Sequence, residues 1–304
     1  MTGAAPGSGA RVVSGSRDKV GESPVWDPAS QSLYWVDIEG RRLHRLDWAS
    51  GRQQSWNTPE RTGCIALAHG GVVVAAMETG VFALRLRDAP ALEATRLASI
   101  THPRPNMRFN DGRCDASGRF WISTMCMDMA LAAPVGAWHC LDERGLSEPL
   151  HTGLVTPNGL AFSPDARTMY FSDSHPSVQK IWAFDFDLAS GRIGAGRLFL
   201  DMNPLPGRPD GAAVDSQGCY WICANDAGLV LRVDPQGRVL SSVSVPVAKP
   251  SMCAFGGARL ETLLVTSICP GGVPDGLCGA VFAIEVGVQG RPEPRFSRFP
   301  ATGA

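Results

Sequence analysis

The chain of 304 residues contains no apolar run of 18 or more residues, the length that a membrane-spanning helix needs. It has no basic run, and its formal net charge of -1 offers no electrostatic basis for binding nucleic acid or an anionic membrane. The N-terminus lacks the basic start and apolar stretch of a secretory signal. These absences predict a soluble, cytoplasmic protein whose partner is a small neutral or weakly anionic molecule.

Motifs of several common enzyme classes are also missing. No Gly-x-Ser-x-Gly segment is present, which argues against a serine hydrolase of that type, and neither a dinucleotide fingerprint nor a P-loop occurs. The nine cysteines have no Cys-x-x-Cys spacing or regular framework. Cys64, Cys114, Cys219 and Cys253 lie in or beside apolar strand-like segments, so we expect these four to be buried, reduced thiols. The six histidines show no metal-binding spacing. No segment has sustained helical periodicity with caps, so we expect almost no helix.

What the sequence does contain is a repeated phrase. Six segments begin in a similar way, and the best copies continue with a turn, an aromatic-rich strand, a second turn and another strand that ends near Asp. Their starts lie 41, 47, 48, 52 and 41 residues apart, by subtraction of positions. Repeats of this size, built from short strands, are typical of β-propeller blades. The segments start at Glu22, Gly63, Asn110, Asn158, Asp210 and Ser251.

Six similar units predict a single all-β domain, a six-bladed β-propeller over residues 11–304. Residues 1–10, rich in Gly, Ala, Ser and Pro, are expected to form a disordered tail. The ring must close, and we expect the strand-like segment 10–14 to pair with the last blade near residues 295–299.

Three of the repeats begin with an oxygen-bearing side chain, from Glu22, Asn158 and Asp210. Taken singly, each has an ordinary interpretation, because Asn and Asp before Gly are frequent turn formers and a lone Glu is usually solvated. In a radial array, however, equivalent positions of all blades converge on one axis. The repeat therefore predicts that these three side chains lie close together.

The same segments resemble a known family. The matching stretches occur in the family's order from about residue 20 to residue 285. They lie at 21–26, 108–112, 118–125, 157–162, 209–211, 232–235 and 253–257. On these stretches the chain resembles the sugar-lactone hydrolases that include gluconolactonase, regucalcin (SMP-30) and the luciferin-regenerating proteins.

The resemblance implies a six-bladed propeller with one divalent metal ion on its axis. It places the three metal ligands on Glu22, Asn158 and Asp210, and it makes Asp210 the catalytic acid or base. An all-oxygen set with two negative charges suits Ca²⁺, Mg²⁺ or Mn²⁺, and Zn²⁺ also stays open. Three protein ligands leave positions for water and for a substrate oxygen.

The resemblance also implies contacts to the substrate. Arg108 and Asn110 fall on substrate-binding residues, and Asp128 falls on an acidic side chain that some members use against substrate hydroxyls. Arg presents a fixed fork of donors, Asn donates and accepts, and Asp accepts, so the three suit a polyhydroxylated ligand. As ordinary structural residues, Arg108 would be a surface ion-pair partner and Asp128 a loop residue.

These observations predict a metal-dependent hydrolase that opens an aldonolactone, a cyclic ester of a sugar acid, to the free acid in sugar catabolism. Within the same chemistry, a broader lactonase or organophosphate esterase stays open. Outside catalysis, the alternatives are a Ca²⁺-binding regulatory propeller of the regucalcin type and a protein-interaction propeller. The sequence does not choose the lactone, the native metal or the oligomeric state.

Overall fold

The computed structural model describes residues 9–269, 271 and 276–300, so most of the predicted tail at 1–10 lies outside the described residues. The described chain forms six antiparallel sheets. The first strand of each sheet contacts the first strand of the next, and that of the sixth sheet contacts that of the first. Six sheets arranged radially in this way are a six-bladed β-propeller, which confirms the predicted fold.

Blades 1 to 3 follow one another along the chain. Blades 1 and 2 use their strands in chain order, and in blade 3 both β13 and β14 pair with β12. Their strands are β2 Gly21–Asp27, β3 Ser32–Asp37, β4 Arg42–Asp47 and β5 Gln53–Asn57 in blade 1; β6 Cys64–Leu67, β7 Val72–Ala76, β8 Gly80–Leu86 and β9 Leu92–Ser99 in blade 2; and β10 Met107–Cys114, β11 Phe120–Cys126, β12 Gly136–Asp142, β13 Gly145–Leu146 and β14 His151–Leu154 in blade 3.

Blades 4 to 6 repeat the pattern, except that blade 6 takes its outermost strand from the N-terminus. Their strands are β15 Pro157–Phe162, β16 Thr168–Asp173, β17 Lys180–Asp187 and β18 Arg192–Asp201 in blade 4; β19 Arg208–Val214, β20 Tyr220–Asn225, β21 Leu229–Val233 and β22 Val239–Ser244 in blade 5; and β23 Pro250–Gly256, β24 Thr262–Ser267, β25 Phe282–Glu285 and β1 Arg11–Val12 in blade 6.

The core is distributed between neighbouring blades. The inner strand β10 is buried along its whole length, whereas the outer strands β9 and β22 are largely exposed. The apolar clusters join facing sheets, as where Trp138 of blade 3 packs on Phe171 of blade 4 with ring centroids 5.5 Å apart. Burying apolar surface between blades therefore fixes the inner strands around the axis.

The repeated Asp and Trp of the phrase bond to each other in blades 3 and 5. In blade 3 the Asp115 carboxylate accepts a hydrogen bond from Trp121 Nε1 at 2.9 Å. In blade 5 the Asp215 carboxylate accepts the same bond from Trp221 at 2.9 Å. Both Asp residues also accept from the backbone of the following turn. In these two blades the repeated residues therefore fix the C-terminal end of the inner strand as well as its start.

The ring closes through the predicted N-terminal strand, but its partner differs from the prediction. Arg11 pairs with Ala283 and Val12 with Phe282, so β1 adds to β25. The segment 295–299 instead lies under blades 2 and 3, where Phe296 N donates to Leu67 O at 2.9 Å. The reason is apolar burial, because Phe296 is fully buried in the cluster between those two blades.

Helix is scarce, as predicted. Within the described ranges the structure has two three-residue 3₁₀ turns, His69–Gly71 and Met129–Leu131. In that part of the chain, no helix has the length and apolar character required to cross a bilayer. Seven cysteines are buried and free, whereas Cys269 and Cys278 form a disulfide. The prediction of buried, reduced thiols at Cys64, Cys114, Cys219 and Cys253 is confirmed.

Candidate active site on the propeller axis

The repeat starts lie at irregularities of the inner strands. Five of the six inner strands have a register shift, and blade 2 has Gly63 immediately before its inner strand. Such bulges bend a strand and re-aim a side chain. The shifts fall between Glu22 and Val25, Phe109 and Gly112, Asn158 and Ala161, Pro209 and Ala212, and Pro250 and Cys253.

The structure brings Glu22, Asn158 and Asp210 towards one another. Asn158 and Asp210 are buried, and Glu22 is partly buried. Burial raises the pKa of Glu22 well above its usual value, and the carboxylates of Asp210 and Asp111 raise it further. A Cβ added to Gly159 would lie 3.0 Å from the main-chain oxygen of Asp210, which places the Asn158 turn against blade 5.

Asp210 is held by a residue that the sequence did not point to. Its Oδ2 accepts a hydrogen bond from Asn225 Nδ2 at 2.6 Å. Burial raises the pKa of Asp210 to about 7, although the Arg208 charge and the Asn225 bond lower it. Asn225 ends β20, the strand beside β19, and its role depends on that pairing rather than on a sequence motif.

A chain of hydrogen bonds joins the predicted substrate residues to the predicted ligand Asn158. Arg108 Nη1 donates to Asn110 Oδ1 at 2.7 Å. Asn110 Nδ2 donates to Asn158 Oδ1 at 3.1 Å and to Pro157 O at 2.9 Å. Both ends of the Asn110 amide therefore bond to protein, and its predicted contact to substrate stays a prediction.

Arg108 presents a donor without a partner. Its Nη1 donates to the carbonyl oxygen of Phe109 at 2.8 Å as well as to Asn110. Its Nε is buried and makes no hydrogen bond to any described residue. Burial lowers the pKa of this guanidinium, while the Glu39 and Glu22 carboxylates act in the opposite direction. A buried donor without a partner is costly, so the site favours a ligand oxygen at this position.

Asp111 is a further buried carboxylate that sequence reasoning passed over. It accepts hydrogen bonds from Gly112 N at 2.7 Å and from Leu160 N at 2.8 Å. Burial raises its pKa, and these backbone bonds and Arg113 lower it. From the sequence alone, Asp111 is interpreted as part of an Asp-Gly turn. In the fold it accepts a hydrogen bond from β15, the irregular strand that carries Asn158.

Asp128 is placed differently from the other predicted site residues. It is exposed, and its Oδ1 accepts from Ala130 N at 3.1 Å at the start of the turn Met129–Leu131. That turn packs at the edge of blade 4, where Thr156 Oγ1 lies 3.2 Å from Met129 Sδ. A short Asp side chain readily bonds its own backbone in this way. Its contact to substrate stays a prediction.

The residues present fit a divalent cation. Two carboxylates, from Glu22 and Asp210, lie in the interior, and the Asp210 charge disfavours the charged form of Glu22. The Asn158 amide oxygen accepts a hydrogen bond from Asn110, and the neighbouring Gly159 approaches the Asp210 main chain. The Asp111 carboxylate is already used by backbone N–H groups. Among the described residues no group of three His, Cys, Asp or Glu has a metal-binding arrangement, so the amide completes the candidate set. Such all-oxygen donors suit hard ions.

The chain is similar to known proteins along most of its length. The family model of the SMP-30/gluconolactonase/LRE-like region matches residues 20–269. The chain is 38% identical over 284 residues to a 6-deoxy-6-sulfogluconolactonase of Pseudomonas putida, covering 91% of this chain and 95% of that one. It is 34% identical over 289 residues to a pentonolactonase of Haloferax volcanii, covering 90% and 94%.

A solved structure resembles the whole propeller. It is a calcium-binding protein, regucalcin, from Agrobacterium tumefaciens, with a TM-score of 0.87 and 29% sequence identity. The alignment covers 95% of this chain and 98% of that chain.

Proposed function

The chain belongs to the SMP-30/gluconolactonase/LRE-like family, as predicted, and from this premise we propose that it is a metal-dependent hydrolase of sugar lactones. The names of two relatives, a sulfogluconolactonase and a pentonolactonase, support a lactone of a sugar acid as substrate. One set of contacts supports the proposal. The Asp210 carboxylate raises the pKa of Glu22. Asn110 links the Asn158 amide oxygen to Arg108, whose Nε–H has no partner among the described residues.

In this proposal Glu22, Asn158 and Asp210 hold the ion. When bound, a divalent cation polarises the lactone carbonyl and stabilises the negative charge that develops as the ester opens. Arg108 Nε–H donates to a substrate oxygen, while its Nη1 stays fixed by Phe109 and Asn110. Because this donor is already in place, little reorganisation is required when charge develops.

Asp210 is the proposed base. Asn225 fixes its Oδ2, and its Oδ1 makes no hydrogen bond within the described residues, which leaves that oxygen to accept a proton from water. The water oxygen bonds to the carbonyl carbon, the ring C–O bond breaks, and the proton passes from Asp210 to the departing hydroxyl oxygen. The product is the open-chain sugar acid, and no redox partner is needed.

The proposed setting is sugar catabolism in the cytoplasm, on a free small molecule. A non-catalytic Ca²⁺-binding role is the second candidate, because the regucalcin structure is described as calcium-binding and the same oxygen donors suit Ca²⁺. The two candidates predict the same ion site and differ only in turnover.

The test is acid release from glucono-, galactono-, xylono- and arabinono-lactones. We expect chelator-stripped protein to be inactive and to recover activity with one or more of Ca²⁺, Mg²⁺, Mn²⁺ and Zn²⁺. Glu22→Ala and Asp210→Ala should abolish turnover and weaken ion binding in calorimetry, with an unchanged circular dichroism spectrum. Glu93→Ala, which removes an exposed carboxylate on β9, is the control.

Each contrary result has its own meaning. Full activity after metal stripping would contradict metal dependence. Wild-type turnover in Asp210→Ala would remove the base from the proposal. Tight Ca²⁺ binding without turnover of any lactone would favour the non-catalytic role.

A further inference from the structure

Arg113 lies on the axis beyond the ligand set, on the same inner strand as Arg108. It is buried, with 8% of its surface exposed. Its Nε donates to Leu160 O at 3.0 Å, and its Nη2 donates to Ala212 O at 2.6 Å. Its Nη1 forms an ion pair with Glu293. The Arg113 guanidinium thus bonds to blades 4 and 5 and to residues 289–297, which we call the C-terminal segment.

The two carbonyls that Arg113 contacts occupy equivalent positions. Leu160 follows Asn158 by two residues, and Ala212 follows Asp210 by two residues. Each lies in or at the end of the strand irregularity that directs the ligand side chain to the axis. The position of these backbone segments therefore determines where the two ligand oxygens lie.

The peptide groups of Leu160 are held from both sides by one strand of blade 3. Asp111 accepts from Leu160 N at 2.8 Å, and Arg113 donates to Leu160 O. A planar guanidinium suits this role, because its donors form a rigid fork that reaches several acceptors in a fixed geometry.

We propose that Arg113 is a positioning residue for the metal site, which sets the spacing of Asn158 and Asp210, and that Glu293 of the C-terminal segment is its counter-ion. The inference rests on the proposed metal site. Arg113 itself contacts neither the ion nor the substrate. Its effect is to keep the strand irregularities of β15 and β19 at the distance that a single cation needs.

The surroundings of the ion pair support this assignment. Arg113 and Glu293 line two small cavities of about 50 Å³ and about 10 Å³. Glu293 is held in place because its segment bonds to the propeller on both sides, through Gly290 to Asp215 and through Phe296 to Ala68. Removing Glu293 would leave the buried Arg113 charge without its ion-pair partner, which is costly.

The experiment compares two buried arginines. Arg113→Met removes the fork, and Arg119→Met is the matched control, since Arg119 is equally buried and paired with Asp115 but bonds to Leu188 rather than to a ligand strand. The readout is the Kd for Ca²⁺ and Mn²⁺ by calorimetry. We expect Arg113→Met to weaken binding by about 10- to 100-fold, the usual loss when an outer-shell partner is removed. Arg119→Met should stay within about 2-fold of wild type, because it contacts no ligand strand.

Conservative variants allow the same comparison if Arg113→Met does not fold. Arg113→Lys keeps the charge but lacks the fork, so its ion affinity should fall between those of wild type and Arg113→Met. If Arg113→Met does not fold, Arg113→Lys is compared with Arg119→Lys, and only the former should bind the ion more weakly. Glu293→Gln should weaken binding less than Arg113→Met, because both carbonyl contacts remain.

The outcomes separate this inference from the proposed function. Equal ion affinity in the Arg113 and Arg119 variants would overturn the positioning role while leaving the metal site intact. A wild-type protein that binds no divalent ion and hydrolyses no lactone would overturn the proposed function and this inference together.

Discussion

At the scale of single residues, Arg108 combines a fixed end with an unpartnered end. Its Nη1 donates to Phe109 O and Asn110 Oδ1, whereas its Nε has no acceptor among the described residues. Arg108→Lys should lower kcat/KM for the lactone by about 10- to 100-fold, because a lysine cannot keep both contacts and a hydrogen bond to a charged group contributes ~1.5–3 kcal/mol. Ion affinity should change less than turnover. The measurement is steady-state kinetics alongside metal titration.

The control for this variant is Arg87→Lys. Arg87 pairs with Glu93 on the surface of blade 2, where a lysine keeps the ion pair. Equal kcat/KM in Arg108→Lys and wild type would mean that the Nε donor does not meet the substrate.

The sequence could predict the residues of the site that occupy a repeated position. Glu22, Asn158 and Asp210 start three copies of one phrase, so a radial fold brings them together. Asp111 and Asn225 could not be recognised in this way, because their partners are a backbone N–H of the next blade and a carboxylate of the neighbouring strand. These hydrogen bonds depend on which strands are neighbours in the fold. An Asp-Gly pair in the sequence indicates only a turn.

At the scale of the strands, blade 2 contributes a small residue where other blades contribute a side chain. A Cβ added to Gly63 would lie 2.2 Å from Phe109 O and 2.6 Å from Asn110 O. Gly63→Ala should therefore displace the strand that carries Arg108 and Asn110. We expect it to lower the free energy of unfolding by about 1–3 kcal/mol, the usual cost of overpacking, and to lower kcat/KM.

Gly15→Ala is the control for Gly63→Ala, since its added Cβ would meet only Gln53 Oε1 at 3.7 Å. Urea unfolding and lactone turnover should both be close to wild type for Gly15→Ala. If Gly63→Ala is as stable and active as wild type, the close approach of blades 2 and 3 at this point does not limit the site.

Strand existence was predictable, but strand irregularity and strand partners were not. Alternating or apolar segments between turn residues gave the blades correctly. The register shift at Asn158-Gly-Leu-Ala could not be predicted, because the same residues are also compatible with a regular strand. The segment 295–299 also alternates like a strand, and only the burial of Phe296 between blades 2 and 3 explains why it joins them instead of β1.

At the scale of the whole molecule, the C-terminal segment contacts every blade. Gly290 N donates to Leu260 O of blade 6, and Ser216 N of blade 5 donates to Gln289 O. The segment continues along blade 4 and the axis to the remaining three blades. Its further contacts are Arg291 to Ser163, Glu293 to Arg113, Arg295 to Asp27, Phe296 to Leu67 and Ser297 to Gly118. Two features thus hold the six blades together. Strand β1 completes blade 6, and the C-terminal segment contacts all the blades.

Phe296 is the main apolar attachment of that segment and provides its test. The ring is fully buried among residues of blades 2 and 3, whereas its neighbour Phe299 is 39% exposed. Phe296→Ala should lower the free energy of unfolding by about 3–5 kcal/mol, as for other buried Phe truncations. Phe299→Ala should cost about 1 kcal/mol, because it removes chiefly one edge-to-face contact with Phe296. Denaturant unfolding measures both, and similar stabilities for the two variants would show that the segment does not secure the propeller.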